Sequence, residues 1–242
     1  MNADIFTRRI ARPLVFGLGL LPLAWLAAGV LQWPGADLGA NPVEKVQDTL
    51  GIWGLRFLLL TLAVTPLREL LGWPRLQAFR RMLGLYAFAY IALHFLWYLF
   101  VDQAFDWRQL LVDVAKRPYV TVGFTALLLL VPLAWTSTNR AMRRMGRRWQ
   151  KLHRLVYPAV VLGCVHFWWQ VKADVREPLV YAAIAALLLG WRLHRHWRRG
   201  AVAARRSGAP PGPRRQGDAG QDQDPARRGA PSRLLAEQPP AQ

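Results

Sequence analysis

The chain has 242 residues, of which 53% are hydrophobic and 12 are tryptophan, and it carries a formal net charge of +18. This composition excludes an ordinary soluble domain. A nucleic-acid partner is also disfavoured, because the basic residues concentrate in alternate segments between apolar runs, as they do in multispan membrane proteins.

Six apolar runs approach the length of about 20 residues with which a helix crosses the hydrocarbon of a membrane. In lipid each run must satisfy its own backbone hydrogen bonds, so all six are predicted to be helical. The runs are Leu14–Leu31, Ile52–Leu67, Met82–Val101, Tyr119–Trp135, about His153–Val171, and Leu179–Leu193. We therefore predict an all-α membrane protein, a bundle of six transmembrane helices within a domain of residues 1–199.

The first run follows three arginines and so resembles a signal peptide. It is too long for a cleaved apolar region, and no A-x-A-like cleavage site precedes Trp33. We predict that it is retained as the first membrane span.

The distribution of lysine and arginine predicts the orientation of the bundle. Fourteen lie in the N-terminal segment and in the connections after the second and fourth runs, whereas six lie in the other three connections. Because basic residues stay on the cytoplasmic side, both termini are predicted to be cytoplasmic. The Gly- and Pro-rich segment 200–242 is predicted to be a disordered cytoplasmic tail. No internal repeat is evident.

Three of the five histidines lie in or at the mouth of predicted spans: His94, His153 and His166. Ionisable groups in a bilayer are costly and usually mark function. For any one of them, a hydrogen bond to a neighbouring helix is an open alternative. His194 and His196 lie among arginines after the last run and are predicted to be solvated at the headgroup level.

The depths of His94 and His166 predict that the two side chains face each other. Both spans run outward from the cytoplasm, and each histidine comes twelve or thirteen residues after the start of its span. Two facing imidazoles in a helix bundle are a suitable axial pair for a haem iron. A CxxCH motif is absent, so the sequence predicts haem b held without covalent attachment.

His153 is also predicted to be a haem iron ligand, at the opposite, cytoplasmic level, where the third span offers Arg80 and Arg81 instead of a partner histidine. Arg80 falls within roughly 40° of the helix face of His94, so we predict that it binds a haem propionate. Arg81 is better explained as a positively charged membrane anchor. On an ideal helix His153 and His166 are about 140° apart, and Pro158 between them would have to kink the helix to align them.

Arg56, in the second span, lies near the outer interface and is predicted to extend toward it, although the propionate of an outer haem is an alternative partner. Tyr86, Tyr90 and Tyr98 recur near helical spacing around His94 and are predicted to serve packing.

Three ordered segments carry a resemblance to a known family over about residues 13–195. They are NPVEKVQDTLGIWGLRFLLLTLAVTPLR from Asn41, RRMLGLYAFAYIALHFLWY from Arg80, and TSTNRAMRRMGRRWQKLHRLVYPAVVLGCVHFWWQVKAD from Thr136. With these segments the chain resembles the MsrQ (YedZ) family and, more broadly, ferric-reductase-like transmembrane domains. The broader group carries paired haem histidines on its third and fifth helices. This chain has only His94 on the third helix, so a second haem with two histidine ligands is not expected.

The resemblance implies an electron-transfer subunit of a bacterial inner membrane. Electrons from the quinone pool, directly or through a flavin, would pass through haem to an MsrP-like periplasmic molybdoenzyme that repairs methionine sulfoxide in oxidised periplasmic proteins. The catalytic chemistry would then lie on the partner subunit. The resemblance also implies an association with FMN, and the basic segment 140–154 has enough charge to attract a flavin phosphate.

Two other functions remain open at this stage. One is a ferric or oxygen reductase, which would need a separate flavin reductase because the chain has no Gly-rich strand-to-helix turn for a nucleotide. The other is a haem-free transporter or membrane scaffold, which would be colourless when purified.

Overall fold

The computed structural model describes residues 7–171 and 174–207, which form helices joined by short connections. A π-helical turn, Thr7–Ala11, precedes the first α-helix. The α-helices are α1 Arg12–Val30, α2 Pro42–Leu70, α3 Gln77–Trp97, α4 Trp107–Lys116, α5 Pro118–Trp135, α6 Asn139–Met145, α7 Arg147–Leu152, α8 Val156–Gln170 and α9 Arg176–Ser207. Short non-α turns, Pro74–Leu76, Tyr98–Asp102 and His153–Leu155, adjoin α3 and α8.

Helix α2 begins ten residues before the predicted second span. The side chain of Asn41 accepts a hydrogen bond from the backbone of Glu44, and Pro42 occupies the first helical position. Both features favour a helix start at this point. A search for apolar runs did not predict this part of α2, because its first turns contain charged residues.

Pro158 does not kink the fifth predicted span. Helix α8 begins only at Val156, after the 3-10 turn that contains His153. Pro158 therefore lies in the first turn, where a missing N–H is tolerated. The direction of the chain between His153 and His166 is set by the 3-10 turn rather than by a break within the helix.

Four helical segments within the described residues are long and apolar enough to cross a membrane. They are Arg9–Val30, Pro42–Leu70, Pro74–Val101 and Pro118–Trp135. Helix α8 has only 15 residues, and the longer α9 carries arginines in its second half. The protein is therefore an all-helical membrane protein with four candidate spans on these criteria.

The core is built on close packing of α2 against α3 and of α5 against α8. A β-carbon placed on Gly54 of α2 would lie 2.5 Å from the side chain of Ile91 in α3, so only glycine allows this approach. Tyr86 and Tyr90 of α3 are buried, and their hydroxyls donate to the carbonyls of Phe16 and Gly19 in α1, at 2.6 and 2.8 Å. These two tyrosines attach α1 to α3.

Contacts between residues divide the chain into two units, Met1–His196 and Trp197–Gln242. The functional residues discussed below belong to the first unit. Of the predicted tail, residues 200–207 continue α9, and residues 208–242 lie outside the described residues.

Candidate functional site: a facing pair of histidines

The imidazoles of His94 in α3 and His166 in α8 lie next to each other. Their ring centroids are 6.1 Å apart and the ring planes make an angle of 82°. A metal–imidazole bond is about 2.0–2.1 Å, and each ring centroid lies roughly 1 Å behind its nitrogen. The separation is therefore compatible with two imidazoles that share one metal ion.

A backbone carbonyl orients each of the two rings. Nδ1 of His94 lies 2.9 Å from the carbonyl oxygen of Gln47, and Nδ1 of His166 lies 2.7 Å from that of Tyr119. A carbonyl oxygen only accepts hydrogen bonds, so Nδ1 carries the proton in both rings. Each Nε2 is then left with its lone pair, which is the arrangement in which histidines bind metals.

A glycine lies directly against each ring. A β-carbon on Gly51 of α2 would come within 3.0 Å of the His94 ring, and one on Gly123 of α5 would come within 2.7 Å of Nδ1 of His166. Any side chain at these positions would displace the imidazoles. The two glycines therefore hold open the space that the histidines occupy.

These contacts reveal an internal repeat that inspection of the sequence missed. Three pairs of residues are each separated by 72 positions: His94 and His166, Gly51 and Gly123, and Gln47 and Tyr119, whose carbonyls accept the hydrogen bonds from the rings. The same shift aligns HFLW from His94 with HFWW from His166. Each half of the site is thus one helix pair that supplies a histidine, a glycine behind it and an orienting carbonyl.

The side chain of Gln47 also reaches the pair. Its amide nitrogen lies 3.4 Å from Nε2 of His94, and its amide oxygen is buried without a hydrogen-bond partner among the described residues. Such a long contact is weak. A metal ion at Nε2 would replace it at small cost.

His153 is separate from this pair and lies at the other end of α8. Its ring stacks on Trp149 with centroids 3.8 Å apart, and Nδ1 donates to the Trp149 carbonyl at 3.1 Å. Its Nε2 is buried, the Leu133 backbone is close to the ring, and no contact of Nε2 among the described residues has the geometry of a good hydrogen bond.

Arg80 lies near His153, and Arg192 lies near Arg80. Arg80 is close enough to interact electrostatically with both His153 and Arg192. The guanidinium of Arg192 donates to the carbonyl oxygens of Leu188 and Leu62, at 3.1 and 2.5 Å. None of the ion pairs among the described residues involves either arginine.

The other predicted positions are arranged differently. Arg81 is exposed and donates to Asn139 at 2.5 Å. His194 and His196 are exposed. The structure therefore brings His94 and His166 together, and groups His153 with Arg80.

Sequence reasoning missed the orienting carbonyls, both glycines and Arg192. In the sequence, only the 72-residue spacing of the two HF-x-W segments indicated the orienting carbonyls and the two glycines. Arg192 looked like one of several basic residues at the end of the last span, and only its contact with Leu62 of α2 sets it apart.

Comparison with known proteins identifies relatives over most of the chain. The family described as "Ferric reductase like transmembrane component" matches residues 50–164. A protein of Xanthomonas euvesicatoria is 50% identical over 204 residues, which cover 83% of this chain and 94% of that protein. One of Rhodospirillum rubrum is 53% identical over 204 residues, covering 84% and 94%. Both relatives are named "Protein-methionine-sulfoxide reductase heme-binding subunit MsrQ".

Proposed function

Since this chain belongs to the MsrQ family, we propose that it is a haem-containing membrane electron-transfer subunit in which His94 and His166 are the axial ligands of one haem b. The observation that carries this proposal is the facing pair itself, 6.1 Å apart with both Nδ1 atoms hydrogen-bonded to carbonyls. The ligand set is of the kind that b-type haem uses.

Bound haem would supply a one-electron couple between ferric and ferrous iron. The chain's own contribution is to hold two neutral imidazoles at fixed separation and orientation, through the carbonyls of Gln47 and Tyr119. Gly51 and Gly123 let the neighbouring helices close on the rings. A site fixed from both sides changes little between the two oxidation states, which favours rapid electron transfer.

For the direction of electron flow, we propose the quinone pool as donor and an MsrP-like periplasmic molybdoenzyme as acceptor. The names of the relatives, which describe a subunit of a protein-methionine-sulfoxide reductase, support the acceptor. In this role the chain performs no chemistry on methionine sulfoxide itself. The repair of oxidised periplasmic proteins would take place on the partner.

The topology proposed for this function has six spans in the bacterial inner membrane, with both termini cytoplasmic. The 3-10 turn with α8 covers 18 residues, and α9 covers 32, so both are long enough to contribute a span. The excess of basic residues in the N-terminal segment and in the connections after α2 and α5 supports this orientation. The His94–His166 pair would then lie toward the periplasm and His153 toward the cytoplasm.

At the cytoplasmic level we propose that Nε2 of His153 is a haem iron ligand and that Arg80 binds a propionate. The burial of Nε2 without a well-formed hydrogen bond and the nearby guanidinium support this. FMN is proposed from the family resemblance, with the basic segment 140–154 as the region that attracts its phosphate.

A visible spectrum of the purified protein tests the proposal. We expect a low-spin b-type spectrum that sharpens on reduction with dithionite, and complete removal of the pigment by acidified acetone. A colourless protein would indicate a scaffold or transporter. Pigment that stays on the protein in acidified acetone would contradict non-covalent binding.

A further inference from the structure

Helix α4, in the connection between α3 and α5, has an exposed apolar face. Trp107 and Leu111 are 59% and 70% exposed, and a spacing of four residues places them on the same side of the helix. Leu110 and Asp113 share another side, which is buried against the rest of the protein. The helix is therefore packed on one side and leaves an apolar surface uncovered on the next.

The remaining side of α4 is basic. Arg108 and Lys116 are exposed, and they lie about 100° and 180° around the helix from Trp107. A helix that lies in the plane of a membrane interface has the same division, with Trp and Leu at the boundary of the acyl chains and basic residues on the polar face. The sides of α4 thus match a helix of this kind.

Three aromatic rings connect the start of α4 to the candidate span that contains α3. Ala104 and Phe105 have φ values of 44° and 65°, which are rare for a residue as bulky as phenylalanine. The N–H of Phe105 donates to the carbonyl of Leu99 at 3.1 Å. The centroid of the exposed Phe105 ring lies 4.2 Å from that of the exposed Phe100 ring and 6.1 Å from that of Trp107. The apolar face of α4 is therefore continuous with the exposed surface of this span.

The other end of α4 is also held at the level of the membrane. Only Arg117 separates α4 from Pro118, the first residue of the next candidate span. The hydroxyl of Thr121 donates to the carbonyl of Val114, and this bond ties the last turns of α4 to the start of α5. A helix attached at both ends to consecutive spans lies along one face of the membrane rather than projecting from it.

We propose that α4 lies in the plane of the bilayer interface, with Trp107 and Leu111 among the acyl chains and with Arg108 and Lys116 facing lipid phosphates. Lipid occupies the apolar face because this face continues the lipid-exposed surface of the neighbouring span through Phe100. A soluble protein partner would reach the apolar face only by displacing that lipid. The placement does not depend on bound haem or on the direction of electron flow.

The test is nitroxide spin labelling of the full chain in nanodiscs of phosphatidylcholine and phosphatidylglycerol. Leu111→Cys and Lys116→Cys each receive one label. Cys164 is buried and stays in place, so the parent chain treated with the label gives the background signal. Molecular oxygen enters hydrocarbon, whereas a polar nickel chelate is excluded from it. The ratio of oxygen to nickel accessibility is expected to be about tenfold higher at position 111 than at position 116.

A second variant shows whether the apolar face holds α4 in the lipid. With the label at position 111, Trp107→Asp is expected to lower the ratio to the value at position 116, because a carboxylate is costly in hydrocarbon. The matched control is Val112→Asp, at an exposed position on the basic side of the same helix. It should leave the ratio unchanged.

Three outcomes would overturn the proposal. Equal ratios at positions 111 and 116 would show that both sides of α4 have the same surroundings. Loss of accessibility to both reagents at position 111 would show that protein, rather than lipid, covers the apolar face. A ratio at position 111 that Trp107→Asp does not change would show that the apolar face does not hold the helix in the bilayer.

Discussion

His94 and His166 are 72 positions apart in the chain, yet each donates its Nδ1 proton to a carbonyl that lies 47 residues before it. The two halves of the site are therefore equivalent in construction. If both imidazoles bind one iron, neither can hold it alone in the same low-spin state. Loss of either histidine should therefore have the same effect on the haem.

Replacing His94 with Ala and replacing His166 with Ala should each abolish the same haem signal, because loss of either axial ligand leaves a defective iron site. The double variant should look no worse than either single one. Haem per protein and the reduced visible spectrum measure this. His196→Ala, at an exposed position, is the control and should retain full haem. Single variants that lose different signals would mean that the histidines do not share an iron.

A methyl group at Gly123 should damage the haem site without removing a ligand. The new β-carbon would lie 2.7 Å from Nδ1 of His166, so the ring must shift and its bond to the Tyr119 carbonyl must lengthen. Disturbing such outer partners typically costs about 10–100-fold in metal affinity. Gly51→Ala should have a smaller effect, since its closest contact with His94 is 3.0 Å. Haem titration of the apoprotein gives both affinities.

The controls for these variants are Gly17→Ala and Gly190→Ala. Both glycines are helical, and an added β-carbon would meet nothing within 4 Å. Alanine in a helix is more favourable than glycine by roughly 1 kcal/mol, so these variants should be at least as stable as the parent and bind haem normally. Equal haem affinity in Gly123→Ala and Gly190→Ala would show that the close approach is not required.

The helices around the site were largely predictable, because length and apolarity alone place helices in a membrane. The shared depth of His94 and His166 was predictable for the same reason, since the rise per residue is fixed. The ends of helices were not predictable. Helix α2 starts at Asn41 and Pro42, among charged residues that a search for apolar runs excludes. Local capping decided that boundary.

The direction of side chains was the other feature that could not be predicted from the sequence. A wheel projection gives only the helix face from which the Arg80 side chain starts, whereas the structure shows which charged groups, His153 and Arg192, its guanidinium interacts with. The side chain of arginine is long enough to reach a neighbouring level whatever its angle on the wheel. The short helix α4 was also not predicted, because its polar residues exclude it from a search for membrane spans. The burial of Asp113 on this helix was therefore not predicted either.

Asp113 should be important for stability rather than for haem binding. It is 2% exposed and accepts hydrogen bonds from Tyr98, Gln103 and Gln109, at 2.6, 3.0 and 3.1 Å. Asp113→Ala leaves these donors without their acceptor, at a cost of about 1–3 kcal/mol. The melting temperature in detergent should fall by roughly 2–4 °C for each kcal/mol lost.

The control for Asp113→Ala is Lys116→Gln, an exposed position on the same helix, which should melt like the parent. The haem spectrum should be unchanged in both. A parent-like melting temperature for Asp113→Ala would show that the cluster does not fasten α4, and loss of haem without loss of stability would assign Asp113 to the haem site instead.

Changing His153 to Ala should impair electron entry from the cytoplasmic side while leaving the haem of His94 and His166 in place, because thirteen residues of helix separate the two levels by roughly 20 Å. Arg80→Gln should produce a milder defect if Arg80 binds a propionate, since a charge-assisted hydrogen bond contributes about 1.5–3 kcal/mol. Arg81→Gln is the matched control, because Arg81 is its neighbour in sequence but pairs with Asn139 on the surface. The measurements are haem content and the rate of haem reduction by decylubiquinol. If the His153→Ala protein has the parental haem content and the parental rate of haem reduction, His153 is not part of the electron path and the protein is a carrier with a single haem.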